Sequence, residues 1–356
     1  MATEPDVSIV VATYNRCEGL RQLLVALAEQ TYPADRFEVV VVDDGSTDDT
    51  LELLQTIVVP YALHHVSQSN GGPAVARNRG VEHARGSLIL FLDDDVRPIP
   101  DLVAVHVAAQ GEASDLVVTG PMSAPPLDWP QPAWDRWDAA QLHKQYQAML
   151  AGEFACGQRQ FFTANASLRR RMFQNAGGFD PAFKRAEDVE LAWRMSRLDA
   201  RFAFEPRADV VHYAARPFAS WRHAAYQYGR YDVVMSREKA IPTFELACQE
   251  FHTRRRANRW ITRLCIGRRH LSNLTVLGLT GVVHLAVALG ADRLASFALS
   301  SVFNLQYWQG SSDELGGADH LWHAIEMRGA SRPSSSTAPA ESGAEDRPSR
   351  SLFLCR

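Results

Sequence analysis

Leu88-Ile89-Leu90-Phe91-Leu92-Asp93-Asp94-Asp95-Val96 is the stretch on which the reading of this chain turns. An apolar run too short for an ordinary helix ends abruptly in three acids. A continuous apolar run of this length reads as a strand buried on both faces, as in a parallel sheet covered by helices. Ligands of such sheets bind beyond the carboxyl ends of the strands, which is where the acids stand. Clustered carboxylates repel one another and are costly beside a buried sheet unless a cation compensates them. Hard divalent ions such as Mg²⁺ and Mn²⁺ take oxygen ligands and are commonly shared with substrate phosphates. In isolation, the same run also reads as a solvated acidic turn ahead of a helix starting near Pro100.

The first 120 residues alternate between two signals. Short β-branched runs at 7–12, 37–42, 62–66, 88–92 and 116–119 are separated by helical-period segments at 18–30, 48–56, 73–85 and 100–110. This pattern predicts an α/β fold with a mostly parallel sheet flanked by helices. The first strand ends in Thr13-Tyr14-Asn15-Arg16 and the second in Asp43-Asp44-Gly45-Ser46-Thr47-Asp48. Both turns put small polar groups where backbone N–H groups also face a ligand. Asp44 is suited to accept a hydrogen bond from the imide N–H of a uracil or thymine base, while Ser46 and Thr47 also read as helix caps. The third turn, Asn70-Gly71-Gly72-Pro73-Ala74-Val75-Ala76-Arg77-Asn78, is a glycine pair entering a helix. Its arginine, one turn in, can reach a diphosphate or a base edge, or lie on the surface.

Together these pieces resemble the family-2 glycosyltransferases. The stretches that carry the resemblance are VSIVVATYNR (7–16), VVVVDDGSTDDT (39–50), NGGPAVARNRG (70–80), LILFLDDDV (88–96) and GGFDPAFKRAEDVELAWR (177–194). The resemblance implies a GT-A fold, a Rossmann-like sheet with a C-terminal helical extension. It also implies sugar transfer from a nucleoside diphosphate (UDP-, dTDP- or GDP-linked) to an acceptor hydroxyl on a glycan, a lipid-linked intermediate or a small molecule. The anomeric centre would generally be inverted. By the same resemblance Thr13, Tyr14, Asn15, Arg16, Asp44, Asn70, Gly72 and Arg77 surround the donor. Asp93 binds its ribose or sugar, Asp94 belongs to the same donor-binding set, and Asp95 binds Mn²⁺ or Mg²⁺. His212, in Asp209-Val210-Val211-His212-Tyr213, stands near the position of a metal-binding histidine, although a lone histidine at a strand end is equally a structural residue. The pair Glu187-Asp188 matches the family's acidic motif, with Asp188 expected as general base and Glu187 as its support or alternative. Displacement at an anomeric carbon needs a base to take the acceptor's proton. Acids also favour a helix N-terminus through the dipole alone.

Other classes are less well supported. A nucleotidyltransferase making the nucleotide sugar would open with a basic, glycine-rich loop after the first strand, and a dehydrogenase with Gly-x-Gly-x-x-Gly. Neither occurs in Thr13-Tyr14-Asn15-Arg16. A non-catalytic nucleotide or glycan binder would not need the complete set of acids. Thirty-seven Lys and Arg against 41 Asp and Glu, a net charge of −4, give no reason to expect nucleic-acid binding. Five scattered cysteines without a Cys-x-x-Cys spacing argue against a zinc site or a disulfide framework. The acidic N-terminus lacks a secretory signal's basic start, so a cytoplasmic location is expected.

The expected organisation is a catalytic domain over 1–216, a donor half to about 120 and an acceptor half from 121. A helical extension over 217–329 and a disordered tail over 330–356 follow. Trp129, Trp134, Trp137 and Tyr146 in the proline-rich segment either stack on an acceptor sugar or pack the segment itself. Phe161 to Ala166 are expected near the floor under the donor sugar. Arg254, Arg255, Arg256, Arg259, Arg263, Arg268 and Arg269 cluster around Trp260, Ile261 and Leu264, and residues 274–291 carry no charge. Such a pairing reads as peripheral contact with the inner face of a membrane. An 18-residue apolar run is at the lower limit for a spanning helix, and a buried or interfacial helix is the preferred reading.

Overall fold

The computed structural model describes residues 4–329, so the expected tail over 330–356 lies outside the described residues. The chain divides into two compact units, Met1–Gln131 with Tyr146–Ala215, and Pro132–Gln145 with Arg216–Arg356.

The first unit begins β1 (Val7–Thr13), α1 (Cys17–Ala28), β2 (Phe37–Asp43), α2 (Thr50–Thr56), β3 (Ala62–Ser67), α3 (Pro73–His83) and β4 (Leu88–Asp93). There follow β5 (Val96–Pro98), α4 (Leu102–Gln110), β6 (Leu116–Thr119), β7 (Met122–Ser123) and α5 (Ala133–Leu150), of which residues 133–145 count with the second unit. It closes with β8 (Asn165–Arg169), α6 (Arg170–Asn175), α7 (Glu187–Ser196), β9 (Arg201–Phe204) and β10 (Val210–His212). Each of the first four strands runs one residue beyond its apolar run, onto Thr13, Asp43, Ser67 or Asp93. The ladder explains this, because Thr13 pairs with Asp43, Asp43 with Ser67, and Ala12 with Asp93. Backbone pairing carries a polar side chain to the edge of the sheet on every strand.

Among the described residues the main sheet has the order β3-β2-β1-β4-β8-β6-β9. The first four strands are mutually parallel, and β8 is antiparallel to both β4 and β6. Periodicity along the chain cannot tell which distant segment fills the gap between β4 and β6. A second sheet, β5-β10-β7, pairs His212 with Val96 and so brings the histidine beside the acidic run. Helix α1 buries Leu20, Leu23, Leu24 and Leu27, the stripe of an amphipathic helix on a sheet. Phe91, Phe173 and Phe179 pack with ring centroids 5.3–5.6 Å apart, which anchors the turn before α7 to the centre of β4.

The second unit is helical: α8 (Phe218–Lys239), α9 (Thr243–Phe251), α10 (Arg256–Cys265), α11 (Arg269–Ala288), α12 (Asp292–Glu314) and α13 (Ala318–Gly329). Its core is aromatic, with Trp221, Trp308, Tyr307, Phe244 and Phe251 all at most 1% exposed. Trp137 belongs to this core, 5.9 Å from Trp221 and 5.6 Å from Phe303, and Trp134 packs on Phe218 at 5.1 Å. Tyr146, in the first unit, stacks on Phe204. Burial thus favours the packing alternative for Trp137 and Tyr146, while Trp134 is partly buried. Trp129 alone of the four stays substantially exposed, at 37%. The segment expected under the donor sugar is packed: Phe161 and Asn165 are fully buried, and the Asn165 amide donates to the carbonyls of Pro121 and Ala208.

Candidate active site

Three adjacent acids cannot share one environment, and the end of β4 separates them. Asp93 Oδ1 accepts from Arg77 Nη2 at 2.8 Å. Asp94 turns inward, 7% exposed, and accepts from Thr13 Oγ1 at 2.7 Å, with Arg16 Nη1 at 3.8 Å. Asp95 is ion-paired with Arg16 and lies 3.4 Å from His212 Nε2. Burial pushes the Asp94 carboxyl up to about 7, with Arg16 opposing and Asp95 adding to the rise. Burial acts on Asp95 in the same direction, but His212 and Arg16 outweigh it and hold that carboxyl well below the usual range. The middle acid is thus tied to strand β1, and its two neighbours turn to Arg77 on one side and to Arg16 and His212 on the other. Backbone positions this: the amide of Tyr213 donates to the carbonyl of Asp95 at 2.9 Å, and Gly19 of α1 approaches so closely that an added Cβ would stand 2.9 Å from the Asp94 carbonyl.

Arg77 is 7% exposed and bridges two carboxylates, Asp93 and Glu187 Oε1, each at 2.8 Å. Its Nε is buried without a hydrogen bond. The sequence reading aimed this guanidinium at a diphosphate or base; here its two Nη groups are engaged inside the protein, and it links the acidic run to α7. Glu187 is 8% exposed, whereas Asp188 beside it is half-buried and accepts from the Val189 amide at 2.8 Å. Both sit in the first turn of α7, where the helix dipole favours negative charge.

That first turn is held by contacts the sequence reading did not assign. Gly178 adopts φ 68°, and a Cβ there would lie 2.7 Å from Asn78 Oδ1. Asn78 exchanges two hydrogen bonds with the backbone of Phe179, both at 2.8 Å. Arg194 pairs with Glu190 and donates to the carbonyls of Ala176 and Gly178, stapling the glycine turn to the helix that follows. Lys184 Nζ donates to the carbonyl of Gly71 at 2.7 Å. Asn78 and Lys184 lie inside the recognised motifs, but a motif does not say which of its polar residues face each other.

On the other side of β1, Asp44 accepts from Gln68 Nε2 (2.7 Å), the Gly71 amide (2.9 Å) and the Gly72 amide (2.8 Å). The acid proposed to read a base thereby also shapes the turn containing Asn70 and Gly72. Asn15, at φ 53°, accepts from the Thr47 amide at 2.7 Å while its own amide donates to Ser46 Oγ at 2.9 Å. The turns after β1 and β2 are thus locked together, with Tyr14 left 47% exposed beside them. No group of three or more His, Cys, Asp or Glu side chains able to hold a metal occurs among the described residues.

An α/β sheet with one antiparallel insertion, its parallel strand ends carrying acids, is the GT-A architecture. A mannosyltransferase from Pyrobaculum calidifontis, solved in complex with GDP-Man and Mn²⁺, has this fold at a TM-score of 0.54 and 20% identity, over 86% of this chain and 87% of that one. Residues 8–177, just under half of the chain, match the family described as Glycosyl transferase family 2, and the chain is a transferase of the glycosyltransferase type. Among its relatives is the glycosyltransferase AglE of Haloferax volcanii, 27% identical over 64% of this chain and 73% of AglE. Another is the validoxylamine A glucosyltransferase of Streptomyces hygroscopicus subsp. jinggangensis, 32% identical over 54% of this chain. The chain spans about half of the latter, 51%.

Proposed function

We propose that the chain transfers a sugar from a nucleoside diphosphate to an acceptor hydroxyl with inversion, in a metal-dependent reaction. The observation that supports this reading is the convergence of Asp93, Asp95, Arg77, Glu187 and His212, drawn from separate segments, on one edge of the main sheet. Thr13, Tyr14, Asn15, Arg16, Asp44, Asn70 and Gly72 line the adjoining turns and would hold the nucleoside and its phosphates. Asp93 would accept from a hydroxyl of the donor's ribose or sugar.

Asp95 and His212 would hold Mn²⁺ or Mg²⁺, and one carboxylate with one imidazole is a donor set that suits Mn²⁺. With only these two protein ligands at hand, phosphate oxygens of the donor would complete the shell. The bound ion would supply positive charge to the departing diphosphate. Arg16, 44% exposed at its side chain and paired with Asp95, would then be released toward the phosphates.

Of the two acids opening α7, Asp188 would be the general base and Glu187, paired with Arg77, its support. Its carboxylate would take the acceptor's proton as the oxygen attacks the anomeric carbon opposite the leaving diphosphate. Trp129, edge-on to Tyr213 at 4.8 Å, together with Arg97 4.3 Å above the Tyr213 ring, would form the nearest aromatic wall for an acceptor sugar. The acceptor is a glycan, a lipid-linked intermediate or a small molecule.

The test is thermal stabilisation by UDP, GDP, dTDP and CMP, each with and without Mn²⁺. A ligand at about 100 times its dissociation constant adds about 2.7 kcal/mol. Stabilisation by one nucleotide that needs Mn²⁺ and disappears in Asp95→Ala is expected. Indifference to every nucleotide would sink the reading.

A further inference from the structure

Helix α11 carries no Asp, Glu, Lys or Arg after Arg269, and the fold leaves most of it uncovered. Within its 20 residues an 18-residue stretch has a mean hydropathy of 1.6, yet only 22% of that stretch is buried. The buried stripe is narrow: Ser272, Val276, Val283 and Ala286, of which the two valines join the aromatic core. Leu274, Leu277 and Leu285 are 61–70% exposed, and Leu289 just beyond is 72% exposed. Gly278 and Gly281 lie on the same side, with open space where a Cβ would project. On α10 the buried face is Asn258, Thr262 and Cys265, which leaves Trp260 71% and Leu264 55% exposed. Soluble surfaces rarely leave so many large apolar side chains together without a partner.

Charge decides what that partner is. Residues 251–291 contain seven arginines and no acid, in a chain whose net charge is −4. Arg255, Arg256 and Arg263 are exposed on or next to α10. An apolar face with a tryptophan, bordered by arginines, fits an anionic lipid surface, where leucines enter the acyl boundary and guanidinium groups meet phosphates. We propose that the exposed sides of α10 and α11 dock this chain on an anionic phospholipid bilayer. Because the stripe from Ser272 to Ala286 stays packed in the unit, α11 lies along the bilayer surface and does not cross it. The proposal is independent of the sugar-transfer reading.

Sedimentation of the full chain with vesicles tests it, using phosphatidylcholine alone and phosphatidylcholine mixed with phosphatidylglycerol. Binding to the mixed vesicles that weakens with salt is expected, with little binding to phosphatidylcholine. Removing three charges in Arg255→Gln/Arg256→Gln/Arg263→Gln should weaken binding by roughly a hundredfold. Leu277→Glu/Leu285→Glu should weaken it by about tenfold or more, with an unchanged melting temperature to show that the fold is intact. Brominated lipid should quench the wild type more than Trp260→Phe. Failure to bind mixed vesicles at low salt, or variants that bind like the wild type, would overturn the proposal. So would a solution dimer that Leu277→Glu dissociates in a protein that ignores vesicles, since the face would then belong to a second copy.

Discussion

In the second unit the buried charges close on one another: Asp135 and Asp138 both bind Arg216, and Asp232 accepts from Tyr307 at 2.5 Å inside the helix packing. In the first unit four carboxylates, Asp93, Asp94, Asp95 and Glu187, share Arg16, Arg77 and His212 at the end of a sheet. Both arrangements satisfy the rule that a buried charge needs a partner. They differ in position. The cluster on Arg216, two carboxylates on one guanidinium, joins α5 to the segment just before α8 inside the helical unit. The cluster at the strand ends sets four carboxylates against Arg16, Arg77 and His212 on backbone held by the sheet. A divalent cation would offset its negative charge, which suits the proposed donor site, while the helical unit's cluster acts as a joint.

This contrast can be broken most directly through Asp188. On the proposed mechanism Asp188→Asn should lower the turnover of the preferred nucleotide sugar by about a thousandfold with melting unchanged, because the amide keeps the shape of the side chain but cannot take the acceptor's proton. A variant that keeps its rate would transfer the base role to Glu187. The joint should respond in the opposite way. Arg216→Met leaves two buried carboxylates without a counter-charge and should cost about 4 kcal/mol in urea unfolding of the helical unit. A loss under about 1 kcal/mol would mean that water reaches the cluster.

A pH titration sharpens the comparison within the first unit. His106 is fully buried between Ser167 Oγ (2.9 Å) and Asn165 Oδ1 (3.0 Å), and burial pushes its pKa down to about 4 from 6.5. Between these values the unfolded chain binds the proton and the folded chain does not. Stability is therefore full above about 6.5 and falls as the pH drops toward 4, by about 3 kcal/mol from this group. His106→Gln should flatten that part of the stability–pH curve, and an unchanged slope would assign it to other groups. Gly178→Ala should cost about 2 kcal/mol from its left-handed backbone and its contact with Asn78, and should lower activity along with stability. The smallest effect belongs to the uncovered face: Leu277→Gln should change stability by less than about 0.5 kcal/mol, because little packing is lost.

The parallel half of the sheet was legible because β1, β2 and β4 are mainly apolar runs, interrupted by Ser8 and Glu38, whose boundaries are chemical. The acids and turn residues of the site were legible for the same reason, since a polar residue straight after a buried strand has only the sheet edge to occupy. The aromatic segment was not. Trp134, Trp137 and Tyr146 have the composition of a sugar platform and of a helix core alike, and only burial separates the two. The run over 274–291 posed the same ambiguity in reverse: apolar enough to be core, α11 proves to be mostly surface.

What the sequence determined by itself was the identity of the polar groups and the strand that delivers each, because these depend on neighbours a few residues away. Only the tertiary structure decided which of them meet. Val96 pairing with His212 brings the histidine to Asp95, β8 enters between β4 and β6, and Arg77 joins Asp93 to Glu187, which lies 110 residues beyond the arginine. Such pairings are set by sheet register and by charges finding partners in a medium of low dielectric, and neither leaves a periodic trace in the chain.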